Sequence, residues 1–336
     1  MPLNKIETFF SKPWVKYLIV AVLLVIALYY GVTKPFIAHN LILIFLYMGL
    51  AQAWNIIGGY AGQLSLGHVA FFGIGAYTST LLYANLGISP WLGMLVGAAL
   101  AAAVAYGLGW ACLRLKGAYL TLATIAFAEV MRILAANFPS ITKGSVGIGI
   151  PFRPALANMI FRGKIGYVFL SLGFAFVVYL VCRYIDRNRL GYYLASIRED
   201  ETTSTSMGIN VANNKVLAMV LSAIFVAIGG TIYSQYILFV EPTSEFAYEW
   251  SLNMALLVIF GGMGSLYGPI LGALILVPIQ EFLRMMLGGA FQGLHLVVFG
   301  TVLILTVLFM PKGLYITVRD KIRSKTRKTL SDEGGI

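Results

Sequence analysis

The chain has 336 residues, of which 59% are apolar and only 11% are Asp, Glu, Lys or Arg, and its mean hydropathy is +0.85. Soluble domains usually carry about 25% charged residues, so this composition excludes a water-soluble fold. The 24 Lys and Arg exceed the 13 Asp and Glu and give a net charge of +11. These basic residues lie in predicted loops and tails rather than on one accessible face, so we do not expect nucleic-acid binding.

The first apolar run follows a short basic stretch. Lys5, Lys12 and Lys16 stand at the start of the run Tyr17–Val32, which imitates a signal peptide. The run is long, however, and the residues LYYG at 28–31 offer no cleavage site of the small-x-small type. We therefore expect an uncleaved first helix.

The rest of the chain continues as a series of apolar segments. No Asp, Glu, Lys or Arg occurs in the 79 residues from Pro35 to Leu113, and one span needs only about 20 apolar residues to cross a core of about 30 Å. Charges and Gly/Pro clusters divide the apolar sequence into ten predicted spans. They are residues 15–33, 39–57, 64–85, 91–113, 118–138, 165–183, 215–240, 248–263, 266–284 and 293–311. The sequence thus predicts an all-α polytopic membrane protein.

The basic residues predict the orientation. Lys and Arg near helix ends are retained in the cytoplasm, and a cytoplasmic N-terminus with ten spans places 17 of the 24 Lys and Arg on that side. Both termini are then cytoplasmic. The predicted segments are an N-terminus at 1–14, a transmembrane region at 15–311 with an external loop at 139–164 and a cytoplasmic loop at 184–214, and a basic tail at 312–336. The Lys and Arg of the tail are suited to contact with anionic membrane lipid. Alternatively, they only keep this end of the chain in the cytoplasm.

Two glycine-rich breaks interrupt the predicted spans: GGYAG at 58–62 and GGMGS at 261–265. Irregular backbone at membrane depth is tolerated only where protein or a water-filled cavity satisfies it, so the breaks are pointers to a transport pathway. They are equally consistent with tight turns or close-packed contacts. The second break leaves open whether 248–284 is a full hairpin or a re-entrant segment, and the loose similarity of the two breaks hints at an internal repeat.

Uncharged polar side chains near these breaks are candidates for the translocation pathway. The candidates are Gln52, Asn55, Gln63, Ser65, His68 and Asn253. A zwitterionic amino acid needs donors for its carboxylate and acceptors for its ammonium, which helix ends, unwound backbone and such side chains can provide. Each of these residues is also suited to an interhelical hydrogen bond.

One ion pair is predicted within the membrane. Glu129 and Arg132 lie near the middle of the fifth span, where an ionised group costs about 3 kcal/mol or considerably more. Three residues apart on a helix, they share a face and can neutralise each other. We expect an ion pair that faces the interior of the bundle, or alternatively one that lines the substrate route. A proton relay would need a longer chain of titratable groups.

Motifs of soluble enzymes are absent from the sequence. The only Gly-Lys dipeptide, Gly163-Lys164, is followed by Ile165 and forms no phosphate-binding loop. Two isolated cysteines and three scattered histidines match no metal or redox spacing; they are Cys112, Cys182, His39, His68 and His295. We expect no catalytic residue, no metal and no cofactor in this chain, although an intramembrane enzyme with an unfamiliar site stays open.

The cytoplasmic loop Arg183–Lys215 is more patterned than a simple linker. Its start can continue the sixth helix, and Gly191 permits a turn. Ser196–Glu201 then predicts a short polar helix that stops before Gly208. On its own, such a charge cluster is more typical of solvated surface.

Five stretches in order carry a family resemblance. They are GGYAGQLSLGHVAFFGIGAY, LRLKGAYLTLATIAFAEVMRIL, ITKGSVGIGIP, ASIREDE followed by MGIN, and GGMGSLYGPILGA. Together they cover most of the chain from Trp54 to Pro278, and in this order they are specific. The chain resembles the permease subunits of ABC importers for branched-chain amino acids, most closely the M-type member of their two-permease pair.

This resemblance implies a type II-like ABC importer permease bundle in the bacterial inner membrane that moves leucine, isoleucine and valine. It implies three kinds of component besides this chain: a second homologous permease, two ATPase subunits that bind ATP and Mg, and an external solute-binding protein. By analogy, a short cytoplasmic segment couples to the ATPases, and its residues here are Arg198, Glu199, Asp200, Glu201 and Gly208.

The sequence departs from the family pattern in two places. Lys143 stands where a glycine is common, and Val146 where an acidic or amide residue is frequent. TTSTS follows Glu201 in place of alanines and another acidic residue. Related permeases carry urea, short amides or other amino acids, and these substrates stay open. The other function classes to be weighed are an ion-driven secondary transporter and a membrane-embedded enzyme or scaffold.

Overall fold

A computed structural model describes residues 34–112, 115, 117–287 and scattered positions between 297 and 320. The predicted N-terminal stretch and first span at 15–33 lie outside the described residues. So do most of the predicted tenth span at 293–311 and most of the basic tail at 312–336.

The described residues are mostly helical. The α-helices of six or more residues are α1 Pro35–Asn55, α2 His68–Leu86, α3 Pro90–Cys112, α4 Ala118–Asn137, α5 Lys164–Arg187, α6 Arg189–Glu199, α7 Glu201–Ser206, α8 Val211–Ile237, α9 Tyr248–Gly261 and α10 Gly268–Leu287. A π-helical turn, Ile56–Tyr60, extends α1. Two-residue strands, β1 Ile148–Gly149 and β2 Phe239–Val240, pair antiparallel.

Seven helices among the described residues are long and apolar enough to cross a membrane. They match seven of the eight predicted spans in this part of the chain. The predicted span 248–263 differs, because α9 has only 14 residues. At 1.5 Å per residue it rises about 21 Å, less than the core of about 30 Å, so by its length this segment is not a full span.

The bundle is organised around α8, which packs against α1, α2 and α3. Glycines bring the backbones of α2 and α8 into contact: a Cβ on Gly75 would lie 2.0 Å from the carbonyl oxygen of Ala227, and one on Gly230 would lie 2.1 Å from that of Phe72. Such small-residue contacts are typical of helix pairs in membranes, where burial of apolar surface gives little driving force.

The connections gather at the two ends of α8. Residues 188–210 precede α8, and both glycine breaks lie beside them. The connection between α4 and α5 lies at the other end, because its strand β1 pairs with β2 directly after α8. We call these the α6–α7 end and the β1–β2 end. With 27 residues, α8 separates them by about 40 Å.

Candidate functional site

The loop before α8 folds as two short helices. The single predicted helix at 196–201 is wrong: Asp200 has extended backbone, and its carboxylate accepts a hydrogen bond of 2.6 Å from the backbone N–H of Thr203 as the N-cap of α7. The predicted turn at Gly191 is also wrong. The break comes at Asn188, and Gly191 lies inside α6, where a Cβ would be 2.3 Å from the carbonyl oxygen of Ile185.

Both ends of α7 are defined by local chemistry. Hydrogen bonds from Thr202 and Thr203 hold the pKa of Asp200 at about 2, so its carboxylate is ionised at neutral pH. Gly208 has a φ of +82°, a left-handed conformation suited to glycine after a helix C-terminus, and α7 stops before it as predicted. The loop therefore presents a well-formed element rather than loose surface.

Arg198 connects this loop to both glycine breaks. Its Nη1 donates to the carbonyl oxygen of Gly59 at 3.1 Å, and its Nη2 to the carboxylate of Glu199 at 3.2 Å. A Cβ on Gly62 would lie 2.6 Å from Arg198 Cγ, and one on Gly264 would lie 2.1 Å from Nη1. We call Arg198, Gly59, Gly62 and Gly264 the arginine clamp.

Asn55 joins the two breaks directly. Its Nδ2 donates to the carbonyl oxygen of Ser265 at 3.1 Å, and its Oδ1 accepts from the backbone N–H of Gly264 at 3.0 Å. The irregular backbone at 61–67, which follows the π-helical turn, is satisfied in part by α4, since Thr124 Oγ1 accepts from Leu66 N–H. Asn55 thus makes an interhelical connection, the second of the two roles considered for it.

A buried ion pair fixes the loop to α8. Lys215 Nζ lies 2.5 Å from Glu201 Oε1, and the lysine side chain is only 2% exposed. Gln63 Nε2 donates to the same carboxylate at 3.4 Å. Breaking a buried pair leaves an uncompensated charge, so this contact ties α7 to α8. Gln63, a predicted pathway residue, accordingly belongs to the α6–α7 end.

Three other pathway candidates are enclosed in the core. Ser65, His68 and Ser222 form a buried chain, with 3.0 Å between Ser65 Oγ and His68 Nδ1 and 2.9 Å between His68 Nε2 and Ser222 Oγ. Gln52 is also buried, and both side-chain amide atoms lack a hydrogen-bond partner among the described residues. Both ring nitrogens of His68 have hydrogen-bond partners, so these buried hydrogen bonds are typical of a structural network.

Asn253 is the pathway candidate that lines an open cavity near the β1–β2 end. This cavity has a volume of about 410 Å³. Its charged and aromatic lining residues are His39, Tyr47, Tyr233, Glu241, Glu249, Trp250, Glu281 and Arg284. Arg284 Nη1 lies 3.3 Å from Glu281 Oε1, and Asn253 Nδ2 donates to Tyr47 Oη at 3.4 Å. We call it the polar cavity; carboxylates, a guanidinium and aromatic rings together suit a zwitterion with an apolar side chain.

Sequence reasoning missed most of the polar cavity. Glu281 and Arg284 are three residues apart near the end of a helix, the same spacing as Glu129 and Arg132, and this signal could have found them. Glu249 carries no such signal, because only the packing of α9 brings it to the same cavity.

Glu129 and Arg132 form the expected ion pair, but the predicted orientation is wrong. Arg132 donates to both carboxylate oxygens of Glu129, at 2.9 and 2.5 Å. The side chains are 34% and 51% exposed for Arg132 and Glu129, so the pair does not face the bundle interior. The small residues Thr124 and Ala128 form the buried side of α4 and turn Glu129 outward.

Among the described residues, no group of three or more His, Cys, Asp or Glu could hold a metal ion. Both cysteines are free thiols. Cys182 is buried and donates to the carbonyl oxygen of Gln52, whereas Cys112 is half-buried on α3.

Comparison with known proteins gives a consistent result. The model of a family described as "Branched-chain amino acid transport system / permease component" matches residues 36–307. The high-affinity branched-chain amino acid transport system permease protein LivM of Escherichia coli (strain K12) is 31% identical over 309 residues, covering 85% of this chain and 71% of that protein. The permease protein LivH of the same strain is 25% identical over 291 residues, covering 80% and 90% respectively.

Among solved structures, PsaBC from Streptococcus pneumoniae in complex with Fab aligns over 88% of this chain and 99% of that chain. The TM-score is 0.47 and the sequence identity is 15%.

Proposed function

Because the chain belongs to the family of permease components of branched-chain amino acid transport systems, we propose that it is a membrane subunit of an ATP-driven importer for leucine, isoleucine and valine. The observation that carries this proposal is the arginine clamp. It connects a well-formed two-helix loop at one end of the bundle to both breaks in the membrane helices. A loop built in this way can pass an external motion into the bundle.

The proposal includes partners that supply the energy and the substrate. They are two ATPase subunits that bind ATP and Mg, a second permease and an external solute-binding protein, in the bacterial inner membrane. The relatives support a second permease, since the LivM and LivH proteins of one Escherichia coli strain are both similar to this chain. The sequence has no phosphate-binding loop of its own. In this proposal the chain binds neither ATP nor Mg and catalyses no reaction.

Coupling begins at the α6–α7 end, which we place in the cytoplasm. Glu199 is 77% exposed and Asp200 is ionised, so both offer negative charge to an ATPase surface. Displacement of α6 moves Arg198 against the two breaks, and displacement of α7 moves α8 through the pair of Glu201 with Lys215. The ATPases can shift the bundle from one state to another only if their contacts with this loop differ between the two states.

The route of the substrate includes the polar cavity near the β1–β2 end, which we place on the outer side. Its carboxylates suit the ammonium group of an amino acid, Arg284 suits the carboxylate, and Trp250 offers apolar surface to the side chain. The connection from α9 to α10 holds Gly264 in the arginine clamp, while both helices line the polar cavity. A shift of this helix pair therefore changes the clamp and the polar cavity together.

Reconstitution tests the proposed function. The chain is co-expressed with its candidate second permease and ATPases, purified as a complex and placed in proteoliposomes with the binding protein. We expect uptake of labelled leucine that requires ATP and the binding protein, persists when ion gradients are collapsed and is absent with a hydrolysis-deficient ATPase. Isoleucine and valine should compete, and urea and acetamide should not. Uptake by the chain alone, driven by an ion gradient, would show a secondary transporter instead.

A further inference from the structure

The ion pair of Glu129 and Arg132 lies in the middle of an exposed membrane face. The exposed side of α4 follows Leu122, Ala126, Glu129 and Ile133, a helical spacing of four, three and four residues. Glu129 is the twelfth of 20 residues, about 16 Å from the first residue of the helix and about 12 Å from the last. The pair is therefore at the depth of the hydrocarbon core.

Lipid is a poor neighbour for this face. The two side chains neutralise each other, yet among the described residues they hydrogen-bond only each other. Intramembrane ionisable residues almost always face protein or a water-filled cavity, because lipid tails offer no partner for their remaining donors and acceptors. Of the seven candidate spans, α4 is also the one least covered by the described residues, at 22% of its apolar window.

Other exposed faces of the bundle have a different chemistry. The outer side of α3 presents Leu92, Leu95 and Leu100, and that of α5 presents Phe176 and Val177. Neither helix has a charged residue at mid-depth. The exposed faces of α3 and α5 are therefore suited to lipid, whereas the exposed face of α4 carries a charged pair at mid-depth.

We infer that the face of α4 around Glu129 and Arg132 is the contact surface for the second permease subunit, a proposal that rests on the function proposed above. A second permease is the occupant because one Escherichia coli strain has two permease proteins that are both similar to this chain. A subunit of this kind reaches the same membrane depth and can offer polar groups to the pair. Ala126 permits its helix to approach closely.

Photo-crosslinking in the complete importer complex tests the assignment. Val130 on α4 and Val177 on α5 are a matched pair, exposed at 52% and 51%. Each is replaced in turn by p-benzoylphenylalanine and irradiated in membranes. We expect Val130→p-benzoylphenylalanine to form an adduct with the second permease and Val177→p-benzoylphenylalanine to form none. An adduct of position 130 with residues of its own chain, or no protein adduct in an intact complex, would overturn the inference.

A second measurement uses the pair itself. The double variant Glu129→Leu with Arg132→Leu suits lipid better than the natural sequence does. We expect it to insert normally but to retain at least fivefold less of the second permease in a pull-down from detergent. Unchanged retention with unchanged uptake would show a lipid-facing pair. Leucine uptake by the unmodified complex is measured in parallel, so that failure of this interface and failure of the proposed transport function are distinguished.

Discussion

At the scale of single residues, Arg198 is the side chain with the widest connections in the candidate site. Its guanidinium reaches Gly59 on one side and Glu199 on the other, and its stem packs on Gly62. An arginine suits this position because its planar fork donates in two directions from one fixed geometry. The carbonyl of Gly59 is 139 positions earlier in the sequence, so this contact is a tertiary one.

The first prediction concerns this side chain. In Arg198→Glu the donor to Gly59 is replaced by a carboxylate that repels the carbonyl oxygen. Losing a hydrogen bond from a charged group, about 1.5 to 3 kcal/mol, should lower leucine uptake by the reconstituted complex at least about tenfold. Membrane insertion should be unchanged. Arg189→Glu, at an exposed arginine of the same loop, is the matched control and should transport normally. Normal uptake by Arg198→Glu would contradict the role of the clamp.

A buried acid predicts how stability depends on pH. Glu245 lies between α8 and α9, with both carboxylate oxygens buried and lacking a hydrogen-bond partner among the described residues. Burial, with a further contribution from nearby Glu241, raises its pKa from 4.5 to about 8. Between these values the folded state keeps a proton that the unfolded state has lost. The free energy of unfolding should therefore fall as pH rises from about 4.5 to about 8 and show no further change from this group above that range.

Thermal unfolding in detergent at pH 5, 6.5 and 8 measures this dependence. Glu245→Gln should remove the part of the fall in stability with rising pH that Glu245 causes, and it should raise the melting temperature at pH 8. Glu199→Gln, which also removes one carboxylate but at a 77% exposed position, should leave the decline in place. Parallel pH profiles for the natural chain and Glu245→Gln would show that this carboxyl is ionised in the folded protein at neutral pH.

At the scale of secondary-structure elements, the two glycine breaks act as one unit. Asn55 hydrogen-bonds the second break, and Gly59 and Gly264 approach so closely that a Cβ on Gly264 would lie 2.9 Å from the carbonyl oxygen of Gly59. Helix ends that meet at a backbone contact of this kind cannot move independently. The breaks thus join α1 to the α9 and α10 pair.

This contact predicts a position-specific effect of alanine. Gly264 and Gly87 have nearly equal φ values of +70° and +67°, but a Cβ on Gly87 meets nothing within 4 Å. Gly87→Ala should cost only the backbone strain of about 1 to 2 kcal/mol. Gly264→Ala should cost more, because its Cβ would lie 2.9 Å from the backbone carbonyl oxygen of Gly59 and would displace Arg198 Nη1, and it alone should lower uptake. Melting temperature and leucine uptake are measured for both variants; equal effects would show that strain alone matters.

At the scale of the whole molecule, two chemically different regions lie at opposite ends of the bundle. The α6–α7 end holds the clamp and the loop with Glu199 and Asp200, and the cavity lined by Glu281 and Arg284 opens near the β1–β2 end. The helices α8, α9 and α10 connect the two regions. An importer needs this separation, since energy enters on one side of the membrane and substrate on the other.

The separation predicts the sidedness of labelling. Ala157→Cys lies in the connection between α4 and α5, and Ser206→Cys lies at the end of α7. An impermeant maleimide should label position 157 in intact cells and position 206 only after permeabilisation. The natural chain, with half-buried Cys112 and buried Cys182, measures the background. Labelling of both positions from the same side would contradict the proposed topology.

Hydropathy, charge and glycine content are local properties, and they were enough to predict much of the fold. Seven predicted spans match membrane-length helices, and the second predicted break lies between α9 and α10. At the first, a π-helical turn continues α1 through Tyr60, so the irregular backbone begins at Ala61 rather than at Gly58. These local properties did not predict where the loop helix divides or how short α9 is. Asp200 divides the loop helix because its carboxylate caps α7, and α9 ends after only 14 residues at the second break.

The sequence by itself determined that the chain is a polytopic helical membrane protein, where most of its helices lie and which family it resembles. Only the tertiary structure decided that Arg198 joins both breaks, that Asn253 lines the polar cavity and that Glu129 faces outward. The physical reason is the solvent. In lipid both the buried and the exposed sides of a helix are apolar, so the hydrophobic pattern does not show which side faces protein, and contacts between distant residues are set by packing and interhelical hydrogen bonds.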